Sequence, residues 1–205
     1  EVRIQAARNP NTEGSLLSIL ANDVEHRVRR GVAINPSAPV EVLTHLAHGT
    51  DGDIREAVSE NPSSPPHLLA ELHEMGETGL VQPSNSSIPN EWRVRGVRTK
   101  LAKNPNSPSH LLEALAGDDH GPVLTELGGN PNAPMELIRR LGNDQRSMAR
   151  EGVAANPKAP MGVLEALAKD RDDDVRRALA RNPNIATAPV ALATLMIDSD
   201  ERVRS

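Results

Sequence analysis

Apolar residues recur along this chain as two short stripes per unit, separated by turns marked with proline. The first stripe pairs residues four apart, as in Val28 with Val32, Ile54 with Val58, Val97 with Leu101, and Val175 with Leu179. That spacing is one face of a short helix. The second stripe follows a proline, as in "PVEVLTHLA", "PSHLLEALA" and "PMGVLEALA". There the apolar residues fall third, fourth and seventh after the proline, again one helical face. Each unit is predicted to be a short helix, a proline-marked turn, a longer helix and an acidic turn.

The turns fix the register. Asn-Pro occurs at Asn9, Asn35, Asn61, Asn104, Asn130, Asn156 and Asn182, with steps of 26, 26, 43, 26, 26 and 26 residues. Such a period is the signature of a repeat architecture. Its one irregular step equals a period plus 17 residues, so a single insertion interrupts the array. Proline disfavours helix in the residue before it, so the first helix should stop at the Asn. A second proline recurs at Pro39, Pro65, Pro108, Pro134 and Pro160, and suits the first turn of a new helix. Ser64 and Ser107, just before it, are expected to act as N-caps. Asp53 and Asp174 are expected to cap the helix of the next unit.

One unit cannot bury its own stripe, whereas stacked units make a continuous core. The expected fold is an all-α solenoid of 26-residue repeats over residues 1–205, about seven of them by the count of Asn-Pro turns. Composition agrees: there is no Phe, no Tyr and one Trp, as thin aliphatic layers require. The chain opens at "EVR" and stops at "ERVRS", both within the pattern, which reads as part of a longer chain.

The phrases "VRRGVAINPSAPVEVLTHLA", "VRTKLAKNPNSPSHLLEALA" and "VRRALARNPN" resemble the leucine-rich repeat variant family. The resemblance covers nearly the whole chain except the insertion. It implies alternating α- and 3₁₀-helices wound into a right-handed superhelix without strands. The family's usual repeat is slightly shorter, so the turn before Val-Arg is longer in this chain. Some members carry a cysteine cluster for an iron–sulfur centre. With no Cys, this chain cannot form one, and no cofactor is expected.

Absence of cysteine also excludes disulfides and thiol nucleophiles. No apolar run approaches the roughly 18 residues of a membrane span, so no membrane partner is expected and the cytoplasm is the default compartment. A net charge of −5 argues against an extended nucleic-acid surface. No Gly-rich phosphate loop, nucleophile elbow or HExxH motif appears, which points away from an enzyme. Glu41 with His45, and His67, Glu71, His73 and Glu74, have helical spacings that can bind zinc. Surface charge pairs explain both stretches as well, and no metal site is assigned.

Two features are nominated for partner contact. Arginine follows the leading apolar residue at Arg3, Arg29, Arg55, Arg98, Arg150 and Arg176, with Leu124 the exception. A row in equal phase can grip phosphates or carboxylates. The competing reading is that each Arg pairs with the acidic turn before it, as "DRDDDVRR" suggests. The second feature is the insertion 74–93, "EMGETGLVQPSNSSIPNEWR", which holds Trp92. Long irregular loops carry function disproportionately often, and Trp is enriched at binding hot spots. The nominated residues are therefore Trp92, Arg29, Arg55, Arg98, Arg150 and Arg176. Other positions one and five before the Asn, among them Arg8, Arg30, Glu56, Glu60, Glu151 and Arg181, have mixed signs and no stacking aromatics. The expected function is a non-enzymatic scaffold that binds a protein or peptide. The alternative is a nucleic-acid-binding solenoid that uses the arginine row.

Overall fold

A computed structural model describes residues 1–77 and 90–204, without the side chains of 77 and 90–93. Trp92 and the middle of the insertion therefore lie outside what is described. The first helices of successive units are α1 (Val2–Arg8), α3 (His26–Ala33), α5 (Gly52–Glu60), α7 (Asn90–Lys103), α9 (Gly121–Gly129), α11 (Ser147–Ala155), α13 (Asp173–Ala180) and α15 (Glu201–Arg204). The second helices are α2 (Gly14–Leu20), α4 (Val40–Ala47), α6 (Pro66–Glu77), α8 (Ser109–Leu115), α10 (Met135–Gly142), α12 (Met161–Leu167) and α14 (Pro189–Met196). No strand occurs among the described residues, and the fold is an all-α repeat of the solenoid type.

The second helices are not consistently longer than the first: α3 and α4 both have 8 residues, α11 has 9 and α12 has 7, whereas α6 has 12 against 9 in α5. Both are α-helical. The described 3₁₀ segment is Ile185–Thr187, in the unit where the second proline is displaced to Pro189 and the turn tightens before α14.

Contacts divide the chain into two compact units, Glu1–Leu111 and Leu112–Ser205. In the first, α1, α3, α5 and α7 pack in sequence; in the second, α9, α11, α13 and α15 do. The apolar stripes meet inside each stack, and Leu17, Leu43 and Leu69, in equal phase, are fully buried. Leu137, Ile138 and Leu141 of α10 are likewise buried, as the proline-anchored pattern requires. One unit departs from the pattern. In α1 it is Ile4 and Ala7 that are buried, while Val2 is 83% exposed.

The Asn-Pro turns are held by a ladder of side-chain amides. Asn61 Nδ2 donates to Ala33 O (2.7 Å) and Asn35 O (2.9 Å), while its Oδ1 accepts from Ser63 N–H (2.8 Å). Asn35 and Asn104 repeat the arrangement in the first unit, Asn156 and Asn182 in the second. Each of these amides is buried and ties its turn to the carbonyls of the turn before. Buried backbone acceptors are thereby paired, as they must be away from water.

The capping expectations shift by a few residues. Ser64 and Ser107 do not cap the helix that follows. Their hydroxyls donate backwards, to Val58 O and Leu101 O, each at 2.6 Å, closing the end of the preceding helix. Thr12 does the same to Ala6 O (2.6 Å). Pro39, Pro134 and Pro160 take the N-cap position itself, where a missing N–H costs nothing. The acidic caps are Asp51 and Asp172, which accept from the N–H groups of Asp53 and Asp174.

The second unit has its closest helix approach where α9 meets α11. A methyl group on Gly152 would lie 2.2 Å from Thr125 O, and one on Gly128 would lie 2.7 Å from Val153 N. Gly162 in α12 faces open space. Gly152→Ala is therefore expected to lose about 1–3 kcal/mol, because backbone must move. Gly162→Ala should be neutral or gain up to about 1 kcal/mol. Chemical denaturation of both variants checks the contrast.

Candidate interaction surface

The repeated arginines form a second ladder. Arg150 Nη1 donates to Asp144 O (2.8 Å) and Gln145 O (3.0 Å), in the turn just before its own helix. Its Nε and Nη2 grip both carboxylate oxygens of Asp170 in the next turn, at 2.6 and 2.9 Å. Arg176 continues the series through Asp170 O (2.8 Å) and the Asp198 carboxylate (2.7 and 3.1 Å). Arg204 donates to Asp198 O. In the first unit Arg29 donates to Asp23 O and Val24 O, and Arg55 to Gly49 O and Thr50 O. Arg3 pairs with the Asp23 carboxylate at 2.7 Å.

The geometry follows from the repeat. The ladder Arg lies six residues after the turn carbonyl it binds, and where the next turn opens on an aspartate, as for Arg3, Arg150 and Arg176, its fork reaches that carboxylate. Those aspartates are rigid because each accepts from an N–H two residues on, as Asp170 does from Asp172 and Asp198 from Asp200. Arg55 and Arg150 are only 5% and 7% exposed. Of the nominated arginines, Arg29, Arg55, Arg150 and Arg176 thus spend their donors inside their own stack, and Arg98 on α7 is half-buried.

Leu124 is the gap in the arginine row, and Arg146 fills it from the neighbouring turn. Its Nη1 donates to Asp118 O (2.8 Å), six residues before Leu124, and its fork holds Asp144 at 2.8 and 2.9 Å. These are the two partners that an arginine at 124 would take. The Arg146 side chain holds the Asp144 carboxyl at about 2, against the opposing effect of burial. This group supports the fold above its ordinary value of 3.8, and the support is lost as pH falls through about 2. In Arg146→Ala the Asp144 titration is expected to move up toward the ordinary carboxylate range, as read by carboxyl NMR.

Two groups of three potential metal donors come within 4.8 Å among the described residues: His26, Asp51 and Asp53, and Asp172, Asp173 and Asp174. Neither is the stretch of Glu41 and His45, nor that of His67, Glu71, His73 and Glu74. In the first group His26 Nε2 lies 3.1 Å from Asp51, whose other oxygen caps α5. In the second, Arg177 binds Asp173 at 2.6 Å and Asp174 at 2.7 Å. Both groups therefore already have partners in the fold. Glu71 is likewise engaged, with His48 Nε2 at 2.8 Å.

With the ladders accounted for, the exposed faces of the first helices remain. In the first unit α5 presents Asp53, Glu56 and Glu60, and Lys100 of α7 bonds Glu60 at 2.9 Å. Beside them Arg8, Arg27 and Arg30 are exposed on α1 and α3, and none of them is ion-paired with a carboxylate among the described residues. Gly31 lets the two helices close: a methyl there would be 2.9 Å from Ala7 Cβ and 3.4 Å from Arg8 Cγ. A groove of about 280 Å³ opens next to this cluster, lined by Arg30, Ile34, Ala57, Glu60, Asn61 and Pro62. A more open cleft of about 690 Å³ lies by Arg139, Arg140 and Arg146. There each arginine has a carboxylate: Glu136 at 3.6 Å, Glu113 at 2.6 Å and Asp144 at 2.8 Å.

Stacked helix pairs, an asparagine ladder and an arginine–aspartate ladder define an α-helical repeat scaffold. The fold is that of a leucine-rich repeat variant. A solved leucine-rich repeat variant, described as having a novel repetitive structural motif, matches 98% of this chain and 72% of its own. The identity is 24% and the TM-score 0.54, a likeness of fold alone. An engineered protein of solved structure is aligned over 98% of this chain and 71% of its own, at 15% identity. Its TM-score is 0.35. No family model and no curated protein sequence matches the chain. Among the described residues no helix is long and apolar enough to cross a membrane.

Proposed function

We propose that this chain is a non-enzymatic scaffold that binds a protein or peptide on the exposed faces of its helices. One observation carries the reading: the recurrent polar side chains bond within the fold, so the positions that vary from unit to unit are the ones presented to solvent. The asparagines bond turn carbonyls, and the ladder arginines bond turn carbonyls and aspartates. In this reading Arg29, Arg55, Arg150 and Arg176 serve the partner indirectly, by fixing the spacing of the faces that it meets. The nucleic-acid alternative needs the arginine row turned to solvent, and it has correspondingly less to stand on.

An affinity pull-down from the native cell, comparing wild type with a variant lacking residues 80–92, tests the reading. Recovery of a discrete protein partner in near-stoichiometric amount is the expected result, and loss of that partner in the deletion would place Trp92 and its segment in the contact. Recovery of nucleic acid alone, released steeply by salt, would overturn the reading.

A further inference from the structure

We infer that the Arg8–Arg27–Arg30 face of α1 and α3, with the groove beside it, binds an acidic peptide segment carrying an aliphatic side chain. The inference rests on the scaffold reading and names the chemistry of its partner.

Three observations converge on this face. First, its arginines are free where others are engaged. Arg146, Arg150 and Arg176 each hold a carboxylate in a two-pronged grip, and Arg177 lies against Asp173 and Asp174. Among the described residues no carboxylate is ion-paired with Arg8, Arg27 or Arg30. Second, the three stand on two helices that pack against each other. Arg27 and Arg30 lie three apart on α3, one turn of the same helix. The stem of Arg8 crosses from α1 to the bare Cα of Gly31, where the absent side chain leaves it room. Unpaired like charges on packed helices favour an anionic partner, and forked guanidinium groups match carboxylates in geometry.

Third, Arg30 also lines the 280 Å³ groove, to which Ile34, Ala57 and Pro62 add apolar surface beside Asn61. Its far rim is Glu60, already bonded to Lys100. A carboxylate on Arg30 therefore places the next side chain of the same peptide over the Ile34, Ala57 and Pro62 part of this mixed polar and apolar groove. That adjacency favours a peptide over a nucleic acid, which has no aliphatic side chain to offer. Asp53, Glu56 and Glu60 on the neighbouring α5 repel any continuing anionic chain, phosphate or peptide, so the basic area accepts only one short acidic segment.

The test is fluorescence anisotropy with the full chain and a labelled peptide of sequence Gly-Glu-Asp-Glu-Leu-Glu-Gly. A lysine-for-acid counterpart, a serine-for-leucine version and a labelled oligothymidine serve as comparisons. Wild type should bind the acidic peptide, more weakly as salt rises, and should ignore the lysine peptide. Arg27→Glu/Arg30→Glu should weaken binding by about tenfold or more while its thermal melt stays that of wild type. The serine version should bind measurably less well than the parent. Retention of full affinity by the double variant, absence of acidic-peptide binding, or tighter binding of the oligothymidine at the same face would each overturn the inference. A pull-down with the double variant separates the two readings: unchanged protein partners defeat this face and leave the scaffold reading standing.

Discussion

Asn156→Ala is expected to destabilise the second unit by about 3 kcal/mol or more, far beyond the loss of a small buried side chain. The amide makes three hydrogen bonds, to Gly128 O (2.7 Å), to Asn130 O (3.0 Å) and from Lys158 N–H (2.8 Å). Alanine leaves two carbonyls of the neighbouring turn and one N–H of its own turn without these partners at a buried site. Asn156→Asp sharpens the test, because its shape is nearly unchanged. Both Nδ2 hydrogens point at carbonyl oxygens, so a carboxylate there faces two acceptors with no proton to give. The aspartate variant should be at least as unstable as the alanine variant at neutral pH, and should recover part of the loss in acid as it protonates. Urea unfolding at pH 7 and pH 4 measures both. Equal stability of wild type and Asn156→Asp would show that packing, not hydrogen bonding, holds the turn.

Arg150→Ala should cost about 3–5 kcal/mol, because one side of a buried ion pair is removed. The side chains of Arg150 and Asp170 are 8% and 7% exposed. In wild type, burial works to raise the Asp170 carboxyl, but the Arg150 fork and the Asp172 N–H overcome it and leave it lowered. Asp170 therefore supports the fold above its ordinary value, and that support fades as pH falls through the lowered one. Without Arg150 the Asp172 N–H still opposes burial, and the carboxyl moves up toward its ordinary range. Wild type loses the support of the lowered carboxyl as pH falls, so the deficit of Arg150→Ala should shrink on acidification. Arg150→Ala/Asp170→Ala should cost less than the two single losses added, since no buried charge is left without its partner. A double-mutant cycle at two pH values checks both statements.

Much of this arrangement is legible in the sequence because it repeats. Asn35, Asn61, Asn104, Asn156 and Asn182 share a phase, and stacking turns that phase into a ladder. The pairing of the arginine row with acidic turns follows from the same periodicity. Ser64 and Ser107 are harder, since a hydroxyl between two helices can cap either one, and only the backbone path turns it toward Val58 and Leu101. Arg146 escapes periodic reasoning because it lies out of phase with the row. The signal it leaves is indirect: Leu124 vacates a rung, and an arginine stands in the following turn. The Arg8–Arg27–Arg30 cluster is less legible still. Linear sequence shows mixed signs at these positions, whereas freedom from carboxylates and approach over Gly31 are properties of the packed helices.

The central claim is a division of labour between paired arginines that hold the stack and free arginines that meet a partner. Equilibrium urea unfolding of Arg150→Ala beside Arg27→Glu/Arg30→Glu, followed by far-UV circular dichroism, tests it most directly. The account predicts a clearly lowered midpoint for the first variant and a wild-type midpoint for the second. A wild-type midpoint for Arg150→Ala, or a collapse of the double variant, would contradict it.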